Sequence, residues 1–318
     1  MSINGRFVWE ELMTTDVASA VSFYGKVAGL KSEKAPFDPN YTMFKGSARN
    51  MGGVMALPGE AKQGGTPPMW ISYIGTNNTD DTARKIVQFG GKVHKQPWAI
   101  ADGGRIAIVA DPQGAVFALY SNPKATDPPP AHKPGDASWH ELATSDYVAA
   151  FSFYQAVFGW RVISDMDMGP GMGVYRVFGA EGSSDSEMLG GMYTKPANQP
   201  GPPAWLPYIK VANIVKATDQ AKALGAFIMH GPADVPGGKI TMATDPQGVM
   251  FAVHEVTGAA NTPKRKTKPG AKAGAKKKTA PAKRAAAKKK PAAPKRASKA
   301  RAKARKTKNV KKKAGSKK

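Results

Sequence analysis

Two glutamates stand where a cleft could use them. Glu11 sits in Trp9-Glu10-Glu11-Leu12 and Glu141 in Trp139-His140-Glu141-Leu142. A strand alternates faces with period two, so Glu11 shares a face with Trp9 and Glu141 with Trp139. Tyr73 and Tyr208 fall on the same inward parity of two later strands. His254 follows at the end of a third, with Glu255 beside it. A carboxyl near an imidazole supports acid–base chemistry or supplies half a metal site, so Glu141 with His254 is the candidate catalytic pair. The plainer alternative is a cleft carboxyl bonded to a tyrosine or to backbone. His140 has the opposite parity and is expected to pack under a helix. His140-Glu141-x-x-Thr144 lacks the second histidine that a zinc-protease helix requires, and the segment reads as a strand. Gly237-Gly238-Lys239 lacks the spacing of a phosphate loop and reads as a hairpin turn. The pairs Gly52-Gly53 and Gly190-Gly191 are expected to be backbone kinks or bulges.

These residues are positioned by a repeat. Residues 9–30 and 139–160 align at a constant offset of 130 with eleven of 22 positions identical. In each copy a short strand runs into an Asp N-cap, Asp16 or Asp146, that can accept from orphan backbone N–H groups one turn on. Val17, Ala20, Val21, Tyr24 and Val27 follow at helical spacing, and Gly29 stands where a helix stops. Residues 31–57 read as short strands. Alternating strands follow at Trp70–Ile74 and Trp205–Ile209, then helical periods over 79–90 and 214–225. Each half closes on a hairpin around Asp-Pro-Gln-Gly, at 111–114 and 245–248, which suits a type I turn. Each half thus looks internally doubled, with a Pro-rich linker over 123–135. Trp9, Trp70, Trp139 and Trp205 recur at matched places, in the core or lining a cavity.

The composition divides the chain. Of its 318 residues, the last 60 carry 26 of the 47 Lys and Arg and no acidic residue. The remainder holds 21 basic residues against all 23 acidic ones, a net charge of −2. There is no cysteine, so disulfides, thiol catalysis and cysteine-ligated metals are excluded. No run of 18 apolar residues exists and the first 13 residues show no secretory pattern, so a cytoplasmic protein without a membrane span is expected. From residue 258 onward there is almost nothing to bury, and disorder is expected. Lys264, Arg265, Lys266, Lys276, Lys277, Lys278, Lys288, Lys289, Lys290, Lys311, Lys312 and Lys313 form basic clusters suited to phosphate contacts. Binding driven by counterion release would be strong, salt-sensitive and indifferent to base sequence, because no aromatic residue is present to stack on bases. A tail that serves only solubility is the alternative.

The body resembles the vicinal oxygen chelate superfamily, which includes glyoxalase I, extradiol dioxygenases and bleomycin-resistance proteins. The residues that carry the likeness are the Asp-capped helices ending in Phe23-Tyr24 and Phe153-Tyr154, Gly29-Leu30 and Gly159-Trp160 just after them, and the closing hairpins from Asp111 to Phe117 and Asp245 to Phe251. The likeness covers roughly residues 5–122 and 135–257. It implies an α+β fold of two tandem domains, 1–122 and 136–257, each of paired βαβββ modules cupped around a small-molecule cavity. The tail over 258–318 resembles those of linker histones, which implies nucleoid association. Members of the superfamily that use a metal place ligands at positions that here hold Trp9, Ile71 and Ala118, and Trp139, Leu206 and Ala252. None of these supplies a donor for a divalent ion. The resemblance therefore implies a small-molecule binder without the usual metal or any other cofactor, with Trp9, Glu11, Tyr73, Trp139, Glu141 and Tyr208 lining its cavities. A lyase or dioxygenase with a divalent metal at a shifted site around Glu141 and His254 is the enzymatic alternative. A nucleoid-associated protein with a purely structural body is the third.

Overall fold

The computed structural model describes residues 2–36, 38–46, 50–125 and 133–257. The Pro128-Pro129-Pro130 linker and the whole basic tail, with every lysine and arginine named above from Lys264 to Lys313, lie outside the described residues. The N-terminal half runs β1 (Phe7–Thr14), α1 (Val17–Ala28), β2 (Lys31–Ala35), β3 (Asp38–Lys45), β4 (Asn50–Ala56), α2 (Gly59–Gln63), β5 (Met69–Gly75), α3 (Thr79–Gln88), β6 (Lys92–Ala99), β7 (Arg105–Ala110) and β8 (Val116–Ser121). The C-terminal half runs β9 (Ala137–Thr144), α4 (Tyr147–Phe158), β10 (Arg161–Asp167), β11 (Val174–Gly179), β12 (Met188–Thr194), β13 (Ala204–Lys210), α5 (Ile214–Ala223), β14 (Phe227–Val235), β15 (Gly238–Thr244) and β16 (Met250–Val256). Apart from the extra short helix α2, each half is the doubled βαβββ unit that the sequence indicates. No helix among the described residues is long and apolar enough to cross a membrane.

Each half makes one eight-stranded sheet, ordered β2-β3-β4-β1-β5-β8-β7-β6 and β10-β11-β12-β9-β13-β16-β15-β14. The first strands of the two modules, β1 with β5 and β9 with β13, meet antiparallel at the centre. Their helices start and stop for local reasons. Asp16 accepts from the Ser19 backbone N–H at 3.0 Å, and Asp146 accepts from Val148 and Ala149. Gly29 and Gly159 end α1 and α4 at φ of 70° and 75°, a left-handed conformation that a residue with a Cβ rarely adopts.

The sheets divide between the halves but the hydrophobic cores do not. The buried face of α1 (Ala20, Phe23, Tyr24, Val27, Ala28) packs with Phe44 and Trp70 and also with Ile214, Phe251 and Val253 of the C-terminal half. The face of α4 packs in turn with Ile86, Phe117 and Leu119 of the N-terminal half. Each large apolar side chain buried this way stabilises by about 1.5–3 kcal/mol, so the halves interlock in one compact unit. Polar latches repeat the exchange. The Tyr24 hydroxyl donates to Asp245 at 3.0 Å and the Tyr154 hydroxyl to Asp111 at 3.1 Å. Gln247 donates to the Asp16 carbonyl and accepts from the Asp16 N–H, and Gln113 does the same at Asp146. The two Asp-Pro-Gln-Gly hairpins are thus turns, as their sequence indicates, and clasps between the halves as well.

Candidate functional site

The alternation of β1 separates a wet face from a dry one. Glu10 and Leu12 are 2% and 0% exposed on the helix side. Trp9 and Glu11 emerge on the other face into a cavity of about 410 Å³. Its lining includes Val8, Tyr41, Met43, Tyr73, Ile106 and Tyr120, together with Asn50 and Asp102. At the base, the Tyr41 hydroxyl donates to Glu11 Oε2 at 2.8 Å and accepts from Trp9 Nε1 at 3.0 Å. The Tyr73 hydroxyl bonds the same carboxyl. Burial pushes the Glu11 carboxyl above the usual carboxylate range, against the opposing pull of Tyr41 and Tyr73. Burial and the neighbouring Glu11 charge push both phenols upward, so they remain neutral donors. Trp9, Tyr41 and Tyr73 thus form a directed chain of protons ending on one carboxyl.

The C-terminal half repeats the constellation. Tyr175 donates to Glu141 Oε2 at 2.9 Å, Tyr208 to Oε1 at 3.1 Å, and Trp139 Nε1 to the Tyr175 hydroxyl at 2.8 Å. Burial again pushes the glutamate up. The surroundings differ. Tyr193 occupies the position held by Met55 in the first half and stacks on Tyr175 with ring centroids 6.1 Å apart. Ser138 stands at the position of Val8, and His254 at that of Tyr120. The Ser138 hydroxyl donates to the Tyr208 carbonyl at 3.2 Å and lies 3.2 Å from His254 Nδ1. With that proton committed, Nδ1 carries the hydrogen and Nε2 presents a lone pair. Nε2 is buried without a partner among the described residues. Burial, then the nearby Lys210 charge, pushes this imidazole down to about 4, so it is neutral across the physiological range.

The sequence places Trp9, Glu11 and Tyr73 on one face, and Trp139, Glu141 and Tyr208 on another; the structure gathers both groups. It does not gather Glu141 with His254. Glu141 lies opposite Leu206 of β13, whereas His254 lies opposite Lys210, four residues along the same strand. Glu141 accepts from Tyr175 and Tyr208 while His254 Nδ1 faces Ser138, with the Tyr208 ring packed against His254, so no hydrogen bond among the described residues joins the two. Of the four matched tryptophans, Trp9 and Trp139 belong to the cups. Trp70 and Trp205 are core residues that donate to Tyr24 and Tyr154.

Tyr41 and Tyr175 are the functional residues that sequence reasoning misses, and the glycine pairs are the signal that marks them. Both pairs lie in unbroken register against β1 and β9 on one side of their strands, and beside a register slip on the other. Phe44 pairs with Gly52 but Lys45 with Asn50, and Phe178 with Gly190 but Gly179 with Met188, so the irregularities fall at Met51 and Leu189 and adjoin the glycine pairs, as the sequence indicates. A Cβ on Gly53 would collide with the Tyr41 hydroxyl, and one on Gly191 with the Tyr175 ring. A Cβ on Gly52 or Gly190 would strike the carbonyl of Glu10 or His140. Bare backbone lets each tyrosine lie across the sheet and reach its glutamate.

His140 packs on the helix side, as its parity indicates, and has a partner that the parity does not reveal. His140 Nε2 lies 2.7 Å from Glu10 Oε1, both are buried, and Phe7 stacks on the imidazole at 3.6 Å. Ser72 donates to the other Glu10 oxygen at 2.6 Å. Glu10 and His140 are equivalent positions of the repeat, so they face each other where the two halves meet.

The positions at which metal-using relatives would carry ligands are filled by Trp9, Ile71 and Ala118, packed with Tyr73 and Ile106, and by Trp139, Leu206 and Ala252, packed with Tyr208, Ile240 and Met242. Among the described residues no three His, Asp or Glu side chains cluster in a way that could hold an ion. This donor set does not fit a divalent metal at the strand centres.

The profile described as Glyoxalase/Bleomycin resistance protein/Dioxygenase superfamily matches residues 6–119 and 137–253. Among curated proteins, CFP32 of Mycobacterium bovis, named as a glyoxylase, is 31% identical over 250 residues, covering 77% of this chain and 92% of that one. The anthracycline biosynthesis protein DauV of a Streptomyces species is 27% identical over 286 residues, covering 85% and 98%. Among solved structures, the 2,3-dioxygenase LapB of a Pseudomonas species superposes with a TM-score of 0.57 at 14% identity over 83% and 96% of the chains. The Mn(II)-bound glyoxalase of Novosphingobium aromaticivorans does so at 0.56 and 18% over 80% and 83%. At those identities the likeness is one of fold.

Proposed function

The chain belongs to the glyoxalase/bleomycin resistance protein/dioxygenase superfamily, and from that premise we propose that it is a binding member, which holds a small molecule in the N-terminal cup without a metal. The observation that carries this reading is the base of that cup. Apolar side chains fill the ligand positions, and the carboxyl at the base, Glu11, is already bonded by Tyr41 and Tyr73. An apolar, aromatic-lined cavity with a few convergent polar groups is the usual form of a small-molecule site. The relatives named for glyoxylase activity and for anthracycline biosynthesis both fit a pocket for a compact organic molecule. A thermal-shift screen of chelator-treated full-length protein with planar aromatic compounds tests the proposal. Hits that stabilise the wild type and fail with Trp9→Ala support it. Hits that appear only after a divalent ion is added contradict it.

A second activity rests on composition alone. With 26 basic residues and no acidic one after residue 258, the tail is proposed to bind nucleic acid without sequence preference. Binding of duplex DNA by the full chain should fall steeply between about 50 and 200 mM salt, in line with counterion release. Equal binding after removal of residues 259–318 would move the nucleic-acid site onto the folded body, whose net charge is −2.

A further inference from the structure

We propose that the N-terminal cup selects a cationic ligand: a planar apolar molecule bearing an ammonium group, which is directed at Glu11 and Asp102. This inference rests on the reading of the cup as a ligand site and concerns the charge class of what enters it.

The lining itself makes the argument. Its ionisable groups are Glu11 on β1, Tyr41 on β3, Tyr73 on β5, Tyr120 on β8 and Asp102 in the loop between β6 and β7. Among the described residues that line it, none is lysine, arginine or histidine. The phenols are engaged as donors within the wall: Tyr41 and Tyr73 to Glu11, and Tyr120 to Asp102 at 2.8 Å. The Tyr120 phenol is pushed up to about 12 by burial first and by that hydrogen bond second. No free donor faces the cavity from these groups. Apart from the Asn50 amide, what remains for a ligand is acceptor capacity, since a carboxylate offers about four lone-pair sites. An anion would meet two carboxylates in a partly desolvated space, whereas an ammonium would complete their coordination. The aromatic rings of Trp9 and Tyr120 in the lining add attraction for a cation.

The loop makes the feature specific to this half. Residues 100–104 separate β6 from β7 and carry Ile100, Ala101 and Asp102 into the cavity wall. In the C-terminal half, β14 and β15 are joined by the two residues Pro236 and Gly237, and no counterpart of Asp102 exists. Asp102 is shaped for its place, because its carboxylate also accepts from the Gly104 backbone N–H at 2.6 Å. That hydrogen bond holds the loop and leaves the side chain exposed at the mouth.

Isothermal titration of the full-length protein with three probes of matched shape tests the inference: naphthylethylamine, naphthylethanol and naphthylacetate. Titrations are run at about 0.15 M salt, where the Debye length of ~8 Å screens attraction between the basic tail and the anion. The amine should bind about ten-fold more tightly than the alcohol, and the acid more weakly than the alcohol. Glu11→Gln and Asp102→Asn should each remove most of that preference while the alcohol still binds. Asp102 is exposed, so its variant reports on the site even if Glu11→Gln unfolds the cup. Binding of the alcohol or the acid as tightly as the amine overturns the charge assignment and leaves the cup in place. So does a preference that persists in both variants. Absence of heat with all three probes overturns the reading of the cup as a ligand site, and this inference with it.

Discussion

In the N-terminal half, Tyr41 and Tyr73 close on Glu11 beneath a five-residue loop that brings Asp102 to the mouth of an aromatic cup. In the C-terminal half, Tyr175 and Tyr208 close on Glu141 in the same way, but Tyr193 replaces a methionine, a neutral His254 replaces a tyrosine, and a two-residue turn replaces the loop. The four side chains at the base are retained, with the glycines beneath them, and several groups around them have changed. Duplication has therefore kept the base of the constellation and varied part of its rim. One repeated position is exempt. Glu10 and His140 are equivalent, yet each is the other's partner, so there the two halves must differ in order to pair.

The largest expected effect follows from that pair. Glu10→Ala leaves a buried imidazole without its acceptor and should cost about 3–5 kcal/mol, as removal of one member of a buried pair does. The double change Glu10→Gln with His140→Leu should recover much of the loss in chemical denaturation. Equal instability of the single and double variants would show that shape, not pairing, holds the contact.

Next comes the glycine beneath each tyrosine. Gly53→Val and Gly191→Val should each destabilise by about 1–3 kcal/mol through overpacking, but only Gly53→Val should abolish binding in the N-terminal cup. Loss of binding in both would erase the distinction between the halves. Smaller effects are expected at the latches. Tyr24→Phe and Tyr154→Phe should each cost on the order of 1 kcal/mol, the net value of a hydrogen bond, and by similar amounts because the latches are equivalent.

The smallest effect is one of pH. Burial holds the Glu11 and Glu141 protons more tightly in the folded than in the unfolded chain. Stability from these groups is therefore complete below the ordinary carboxylate range and is lost as pH rises through their raised folded values. Glu11→Gln and Glu141→Gln should thus raise Tm above that window and make little difference below it. A Tm profile in which both variants are less stable at every pH would contradict the burial argument.

Much of this arrangement was legible in the sequence, and what was not has a physical reason. Identity at a constant offset exposed the duplication, and period-two alternation put Trp9 beside Glu11 and Glu10 on the opposite face. Asp16, Asp146, Gly29 and Gly159 announced their helix ends because capping is local chemistry. Tyr41 and Tyr175 stayed hidden because they lie on strands whose register against Gly53 and Gly191 is a long-range property. The pairing of Glu10 with His140, the latches from Tyr24 and Tyr154, and the clasps of Gln113 and Gln247 all join residues more than 30 apart in the chain. No local pattern encodes such contacts. The exchange of cores between the halves was invisible for the same reason, since an amphipathic helix shows which face is buried and not what buries it.

The central claim is that the N-terminal cup binds its ligand through Glu11 without a metal. Titration of chelator-treated full-length protein with naphthylethylamine, alongside Glu11→Gln and Glu141→Gln, tests it most directly. The account predicts binding to the wild type and to Glu141→Gln, and about ten-fold weaker binding to Glu11→Gln, a difference of about 1.4 kcal/mol. Binding that is lost in Glu141→Gln but kept in Glu11→Gln, or that appears only when a divalent ion is restored, would contradict it.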